Sequence, residues 1–240
     1  MNIGLIIAGG VGARMNVTTP KQFIAVKGKP VLIYTLEAFQ NNAAIDEIVV
    51  VCLHGWDDVV WKYANKYNIS KLKWIAPGGE TGMESLRNGM LLLKEKYSGD
   101  DIVVIHDAVR PLVSDNIINA NIAGVIRNGN AITCIPCSEA LLYSEDCFTS
   151  EKEVNRDTIL RTQTPQSLYL SKFIWAHEEA VKRGITSAVA TCSLLTLLGE
   201  KVYAVPGETM NFKITTKDDI ALMEAYLFQQ EQLRIIGDGD

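Results

Sequence analysis

Two cations, Arg14 and Lys21, stand just behind a glycine-rich stretch, Gly9-Gly10-Val11-Gly12. Glycine lets a backbone bend through positive φ and leaves room for another group to come close. Successive amide N–H groups in such a turn form an anion-binding concavity. An arginine and a lysine beside that concavity suit a polyphosphate on which negative charge builds up. The dinucleotide fingerprint is excluded, because Met15 stands where its third glycine belongs. A P-loop is excluded too, since Lys21 follows Pro20 rather than the second glycine of that motif. A tight strand-to-loop turn with two solvated cations fits the glycine pattern equally well.

Three further clusters carry chemistry-bearing residues. Pro77-Gly78-Gly79-Glu80-Thr81-Gly82-Met83-Glu84-Ser85 reads as a second glycine turn opening a helix, whose free N–H groups suit an anion or a base edge. His106-Asp107-Ala108-Val109-Arg110-Pro111 ends an apolar run with a carboxylate that could take Mg²⁺ or a substrate hydroxyl, and a guanidinium that could fork onto phosphate. Asn211-Phe212-Lys213-Ile214-Thr215-Thr216 places a lysine before the terminal helix. Taken singly, each is also explained locally, as a cap, a strand-end ion pair or an exposed lysine.

These residues need a scaffold, and apolar periodicity supplies one. Strand-like runs at Ile3–Ala8, Glu47–Leu53, Lys73–Ala76, Asp101–His106 and Ala131–Pro136 alternate with helical patterns at Val31–Asn41, Trp56–Tyr67, Glu84–Tyr97 and Ser114–Asn128. That alternation predicts an α/β fold with a parallel sheet covered on both faces. Ligands in such sheets bind beyond the carboxyl ends of the strands, where the glycine turns and His106-Asp107 fall. The pattern breaks from Ser138 to about Asp157, a polar stretch with Tyr143 and Phe148, read as a projecting β-arm of the kind that serves a dimer. Helices at Ser171–Arg183, Thr191–Leu198 and Lys217–Gln232 follow, with a strand at Val202–Pro206.

The length of 240 residues suits one domain, 1–240, carrying the arm at about 138–157. A net charge of −5 gives no basic footprint for nucleic acid, so a small anionic ligand fits the cationic loop better than a polymer does. No apolar run reaches membrane-span length and no signal peptide opens the chain, so a cytoplasmic protein is expected. Cys134 and Cys137 form an isolated C-x-x-C without a second pair at zinc spacing, and are read as reduced thiols.

In order, G-G-x-G-x-R-M, P-K-Q-F, G-G-x-x-x-x-x-S, H-D-x-x-R-P, R-x-x-x-x-x-x-Q-T-P-Q and N-x-K-I-T resemble the cytidylyltransferases that act on 2-C-methylerythritol 4-phosphate and on ribitol 5-phosphate. The resemblance implies a Rossmann-like nucleotidyltransferase fold, mostly parallel and twisted, whose β-arm interlocks a homodimer. It also implies a reaction joining CTP to a polyol phosphate with Mg²⁺, releasing pyrophosphate and a CDP-alcohol. Carried onto this chain, Ala8, Gly9, Gly10 and Gly12 would wrap the triphosphate, and Arg14 and Lys21 would stabilise charge on the α-phosphate. Gly79, Glu80 and Ser85 would line the cytosine and ribose pocket. Asp107 and Arg110 would meet the acceptor or the metal, Arg156 would reach the acceptor phosphate from its own or the other subunit, and Lys213 would orient that phosphate.

Three positions depart from the family pattern: Gly82 replaces an arginine, Glu139-Ala140 an Asp-Thr, and Cys192 an aspartate. They leave the CTP side nearly intact and point to an altered acceptor pocket. His54-Gly55-Trp56 and Val109 favour ribitol 5-phosphate as acceptor, with 2-C-methylerythritol 4-phosphate as the alternative. A nucleotide-binding homologue without catalysis is a further alternative, and a nicotinamide dehydrogenase is disfavoured by the missing third glycine.

Overall fold

The computed structural model describes residues 1–10 and 19–237, with side chains through residue 233. The first half alternates strand and helix: β1 (Asn2–Ala8), α1 (Val31–Asn41), β4 (Glu47–Cys52), α2 (Asp57–Lys66), β5 (Leu72–Pro77), α3 (Gly82–Lys96), β6 (Ile102–Asp107) and α4 (Asp115–Asn128). Between β1 and α1 lie a 3-10 turn, Lys21–Phe23, and a small hairpin of β2 (Ala25–Val26) and β3 (Lys29–Pro30). The second half adds β7 (Asn130–Pro136), β8 (Leu141–Tyr143), β9 (Lys152–Val154), β10 (Leu160–Tyr169), α5 (Leu170–Lys182), α6 (Thr191–Leu197), β11 (Ala204–Pro206) and α7 (Lys217–Gly237).

Seven strands form one sheet in the order β11-β7-β10-β6-β1-β4-β5. β1 pairs in parallel with β4 and β6, β4 with β5, and β7 with β11, whereas β10 runs antiparallel to both β6 and β7. The sheet is therefore mostly parallel. The antiparallel β10 in its interior has no counterpart among the strands expected from the sequence.

The inner strands read as nearly continuous apolar runs because both of their faces are covered. On one face Ile6, Ile48, Val50 and Val104 pack with Leu32, Leu36 and Phe39 of α1, Val60 of α2, and Ile117, Ile118 and Val125 of α4. On the other, Leu5, Val49, Val51, Val103 and Ile105 pack with Met90 and Leu93 of α3, Phe173, Ala176 and Ala180 of α5, and Leu194 and Leu195 of α6. The alternation of these side chains along each strand is the period-two geometry of the pleat. Gly4 interrupts β1 for a packing reason: a Cβ there would lie 2.6 Å from the Phe39 ring.

Strands β8 and β9 pair only with each other, forming a two-stranded hairpin apart from the main sheet. Leu142, Tyr143 and Phe148 on this segment are exposed, Phe148 at 92%. From β1 the chain winds to β4 and β5 on one side and then returns to β6 on the other. A crevice at the carboxyl ends of β1 and β6 is the expected ligand position at such a switch point.

Candidate active site

A cavity of about 1220 Å³ opens at that switch point. Its lining includes Ala8, Gly9 and Gly10 at the end of β1, Gly78 to Gly82 after β5, His106 to Arg110 at the end of β6, Gln163 and Thr164 of β10, and Lys21 and Lys213. Ala8, Gly9, Gly10, Lys21, Gly79, Glu80, Ser85, Asp107, Arg110 and Lys213 thus converge on one space. Gly12 and Arg14 lie outside the described residues. Arg156 is not among the lining residues. It sits on the arm with its Nη1 donating to Ser138 O at 2.9 Å.

The two glycine turns touch. A Cβ on Gly9 would lie 2.8 Å from Ser85 Oγ and 3.3 Å from Gly78 Cα, so side chains there would push the turns apart. The second turn is fixed by α3. Thr81 and Glu84 form a capping box at the start of this helix, and Glu84 Oε2 also accepts from Glu80 N at 2.7 Å. Ser85 Oγ accepts from Gly79 N at 3.0 Å. Gly79 lies so close to α3 that a Cβ would fall 2.3 Å from Glu84 Cβ. The first turn is held by Gln22, a buried side chain whose Nε2 donates to Ala8 O at 2.7 Å and Gly10 O at 3.1 Å.

Charge gathers where β6 ends. Lys213 Nζ lies 3.0 Å and Arg110 Nε 3.3 Å from the same oxygen, Asp107 Oδ2. Burial pushes the Asp107 pKa up, but the two cations outweigh it and hold the carboxyl below its ordinary value. Lys21 reaches the same neighbourhood, donating to Ile214 O at 3.2 Å.

His106 is not available as a base. Its Nε2 lies 3.0 Å from the Arg110 carbonyl, which only accepts, so Nε2 carries the proton. Nδ1 then accepts the Thr164 hydroxyl at 3.0 Å, while Thr164 Oγ1 accepts from Asp107 N at 3.1 Å. Burial lowers the His106 pKa to about 4, so the ring is neutral at pH 7. It braces the β6 turn. The arrangement can hold anionic groups and stabilise charge, and among the described residues it offers no nucleophile–base pair.

The sequence model of one family, 2-C-methyl-D-erythritol 4-phosphate cytidylyltransferase (IspD), matches residues 3–229. The chain belongs to this cytidylyltransferase family. Its members are nucleotidyltransferases, and so is this enzyme. A ribitol-5-phosphate cytidylyltransferase of Vibrio parahaemolyticus is 44% identical, over 99% of this chain and all of its own. One from Lacticaseibacillus paracasei is 39% identical over 96% of this chain and all of its own. A 2-C-methyl-D-erythritol 4-phosphate cytidylyltransferase of Clostridium acetobutylicum is 37% identical over 95% of this chain and 97% of its own. Among solved structures, the 4-diphosphocytidyl-2C-methyl-D-erythritol synthase of Anaerococcus prevotii superposes with a TM-score of 0.80 at 27% identity, covering 94% of this chain and 95% of that one.

Two of the three departures from the family pattern lie away from the cavity lining. Cys192 is buried and faces Gln166, which accepts from its backbone N at 2.9 Å and lies 3.4 Å from its Sγ. Cys192 does not line the cavity, but its contact Gln166 and its chain neighbours Ala190 and Thr191 do. Ala140 is exposed beside the arm hairpin. Gly82 lines the cavity with open space around it, so the missing arginine leaves room. Sequence reasoning quoted Gln22, Gln163, Thr164 and Asn211 within motifs but gave them no role.

Proposed function

We propose that this enzyme transfers the cytidylyl group of CTP to D-ribitol 5-phosphate, giving CDP-ribitol and pyrophosphate. The observation that carries this reading is the meeting of Lys21, Arg110 and Lys213 on one cavity that two touching glycine turns also line. The choice of acceptor follows the names of the 44% and 39% identical relatives.

An oxygen of the acceptor phosphate attacks the α-phosphorus, and the bond to the bridging oxygen of the β-phosphate breaks. Pyrophosphate leaves with that electron pair. The attacking group is already anionic, so no general base is required, which agrees with a His106 locked in neutral hydrogen bonds. Rate enhancement must then come from positioning and from charge stabilisation. Ala8, Gly9, Gly10 and Gly12 cradle the triphosphate, and Gly79, Glu80 and Ser85 border the cytidine. Arg14 and Lys21 stabilise the α-phosphate, Lys213 and Arg110 hold the acceptor phosphate, and Asp107 orients the acceptor.

Among the described residues no group of three His, Cys, Asp or Glu could hold a metal. Asp107 already carries two cations on one oxygen, and Glu84 is spent on the helix cap. These donors fit an Mg²⁺ carried mainly by the triphosphate, as is usual for nucleotide enzymes, rather than a protein cage. Bound there, the ion neutralises phosphate charge.

The arm, with exposed Leu142, Tyr143 and Phe148, is assigned to a homodimer in which Arg156 serves the partner's acceptor site. The free cysteines, four of them buried, suit the cytoplasm. The test is pyrophosphate release from CTP and Mg²⁺ with ribitol 5-phosphate and 2-C-methylerythritol 4-phosphate in parallel. Ribitol 5-phosphate should give the higher kcat/KM; preference for the other acceptor, or no turnover with either, overturns the proposal. Arg156→Ala should raise the acceptor KM and leave the KM for CTP within twofold. A rise confined to CTP would refute the arm assignment.

A further inference from the structure

Lys213 is carried by an irregular segment between β11 and α7, yet its ammonium must stand at a fixed place to hold a phosphate. Two ties flank it. On one side, Ile214 N donates to Val109 O at 2.8 Å, and the Ile214 side chain is fully buried. On the other stands Asn211, also fully buried. Its Nδ2 donates to Thr164 O at 2.8 Å and to Gln163 Oε1 at 3.1 Å, both on β10. Its backbone carbonyl accepts Arg110 Nη1 at 2.7 Å.

The amide cannot be turned over. Thr164 O is a carbonyl and only accepts. Gln163 must present its oxygen, because its Nε2 is committed to Glu208 O at 2.9 Å. Asn211 therefore spends both amide hydrogens on β10, and its buried Oδ1 has no partner among the described residues. Asn211 so joins three pieces of the active site: its side chain ties the segment bearing Lys213 to the strand bearing Thr164, and its backbone carbonyl ties that segment to the Arg110 turn.

We propose that Asn211 is a positioning residue for Lys213, its side-chain amide locking the Glu208–Ile214 segment to β10 so that the ammonium meets the acceptor phosphate at a set point. This rests on the transferase reading given above. Asn211 touches no substrate in this scheme; it acts through Lys213.

The test is a double-mutant cycle of Asn211→Ala and Lys213→Ala, assayed with CTP and ribitol 5-phosphate. Asn211→Ala should lower kcat/KM for the acceptor roughly 10- to 100-fold, the scale of a misplacement near 1 Å, with the CTP KM within about twofold. In the Lys213→Ala background the same change should cost less than about threefold, because residues acting as one unit are not additive. Losses that multiply, or a CTP KM that rises as much as the acceptor KM, overturn the proposal. Where Asn211→Ala fails to fold, Asn211→Ser carries the same cycle. A second readout needs no turnover: the rate of reductive methylation of Lys213, followed by mass spectrometry. It should rise severalfold in the Asn211 variant, and an unchanged rate in the folded variant overturns the proposal. A wild-type protein inactive with both acceptors would instead remove the transferase reading, while the labelling comparison still decides the role of Asn211.

Discussion

Replacing Gln22 by methionine tests whether the first glycine turn is organised before nucleotide arrives. Methionine has nearly the length and volume of glutamine but cannot donate, so packing is kept while two hydrogen bonds go, 2.7 Å to Ala8 O and 3.1 Å to Gly10 O. Each such bond contributes about 0.5–1.5 kcal/mol net, so the pair is worth roughly 1–3 kcal/mol. If that energy holds the turn in its CTP-binding shape, binding must supply it in the variant, and affinity falls roughly 5- to 150-fold at about 1.4 kcal/mol per tenfold. The same loss should lower Tm by roughly 2–4 °C per kcal/mol in a chain of this size. Isothermal titration with CTP and Mg²⁺, without acceptor, measures the first effect, and thermal denaturation without ligand the second. A variant whose Tm falls as expected while its Kd for CTP stays within twofold refutes the reasoning. Gln22 would then be a core contact with no bearing on the turn.

The glycines separate fold from ligand. Gly79→Ala should lower Tm by the equivalent of about 1–3 kcal/mol of overpacking, since its Cβ would meet Glu84 Cβ at 2.3 Å. Gly10→Ala should leave Tm unchanged, because no atom of the described residues lies within 4 Å of its Cβ, yet weaken CTP, and a CTP Kd equal to wild type would place the phosphates elsewhere. Stability should also depend on acid. Burial holds His106 and His177 at about 4, below the ordinary 6.5, so between those values the unfolded chain binds more protons. Their neutral forms thus favour folding fully above about pH 6.5, and that contribution is lost as pH falls toward 4. Neither ring nitrogen of His177 has a partner among the described residues and the ring packs edge-on against Phe173, so His177→Phe should flatten the decline in Tm between pH 7 and 4. An unchanged slope would exclude His177 as its source.

The parts of this molecule legible in sequence are those where side-chain polarity and burial agree. β1, β4 and β6 are apolar and buried on both faces, and the helices between them carry one apolar stripe each. β10 breaks that agreement. Leu160-Arg-Thr-Gln-Thr-Pro-Gln-Ser-Leu-Tyr169 reads as surface, and its proline argues against an inner strand. The strand is nonetheless interior, because its buried polar groups are satisfied: Gln163 on Glu208 and Asn211, Gln166 on Cys192, Ser167 on Asn121. Those partners lie between 26 and 48 residues away, and periodicity within a window cannot report them.

The same reasoning explains why the site divided as it did. Residues that line the cavity, such as Gly10, Asp107 and Lys213, sit in short motifs that stand out against their flanks. Residues that hold those motifs in place, Gln22, Thr164 and Asn211, reveal their roles only through contacts made on folding. A transferase that attacks with an already ionised phosphate has little use for a tuned acid or base. Its demands fall on where a few cations stand, and therefore on the buried amides and hydroxyls behind them. The active site accordingly spends its buried polar groups on geometry: a neutral imidazole braces the Asp107 turn, one amide tethers the Gly9-Gly10 turn, and another ties the Lys213 segment to β10.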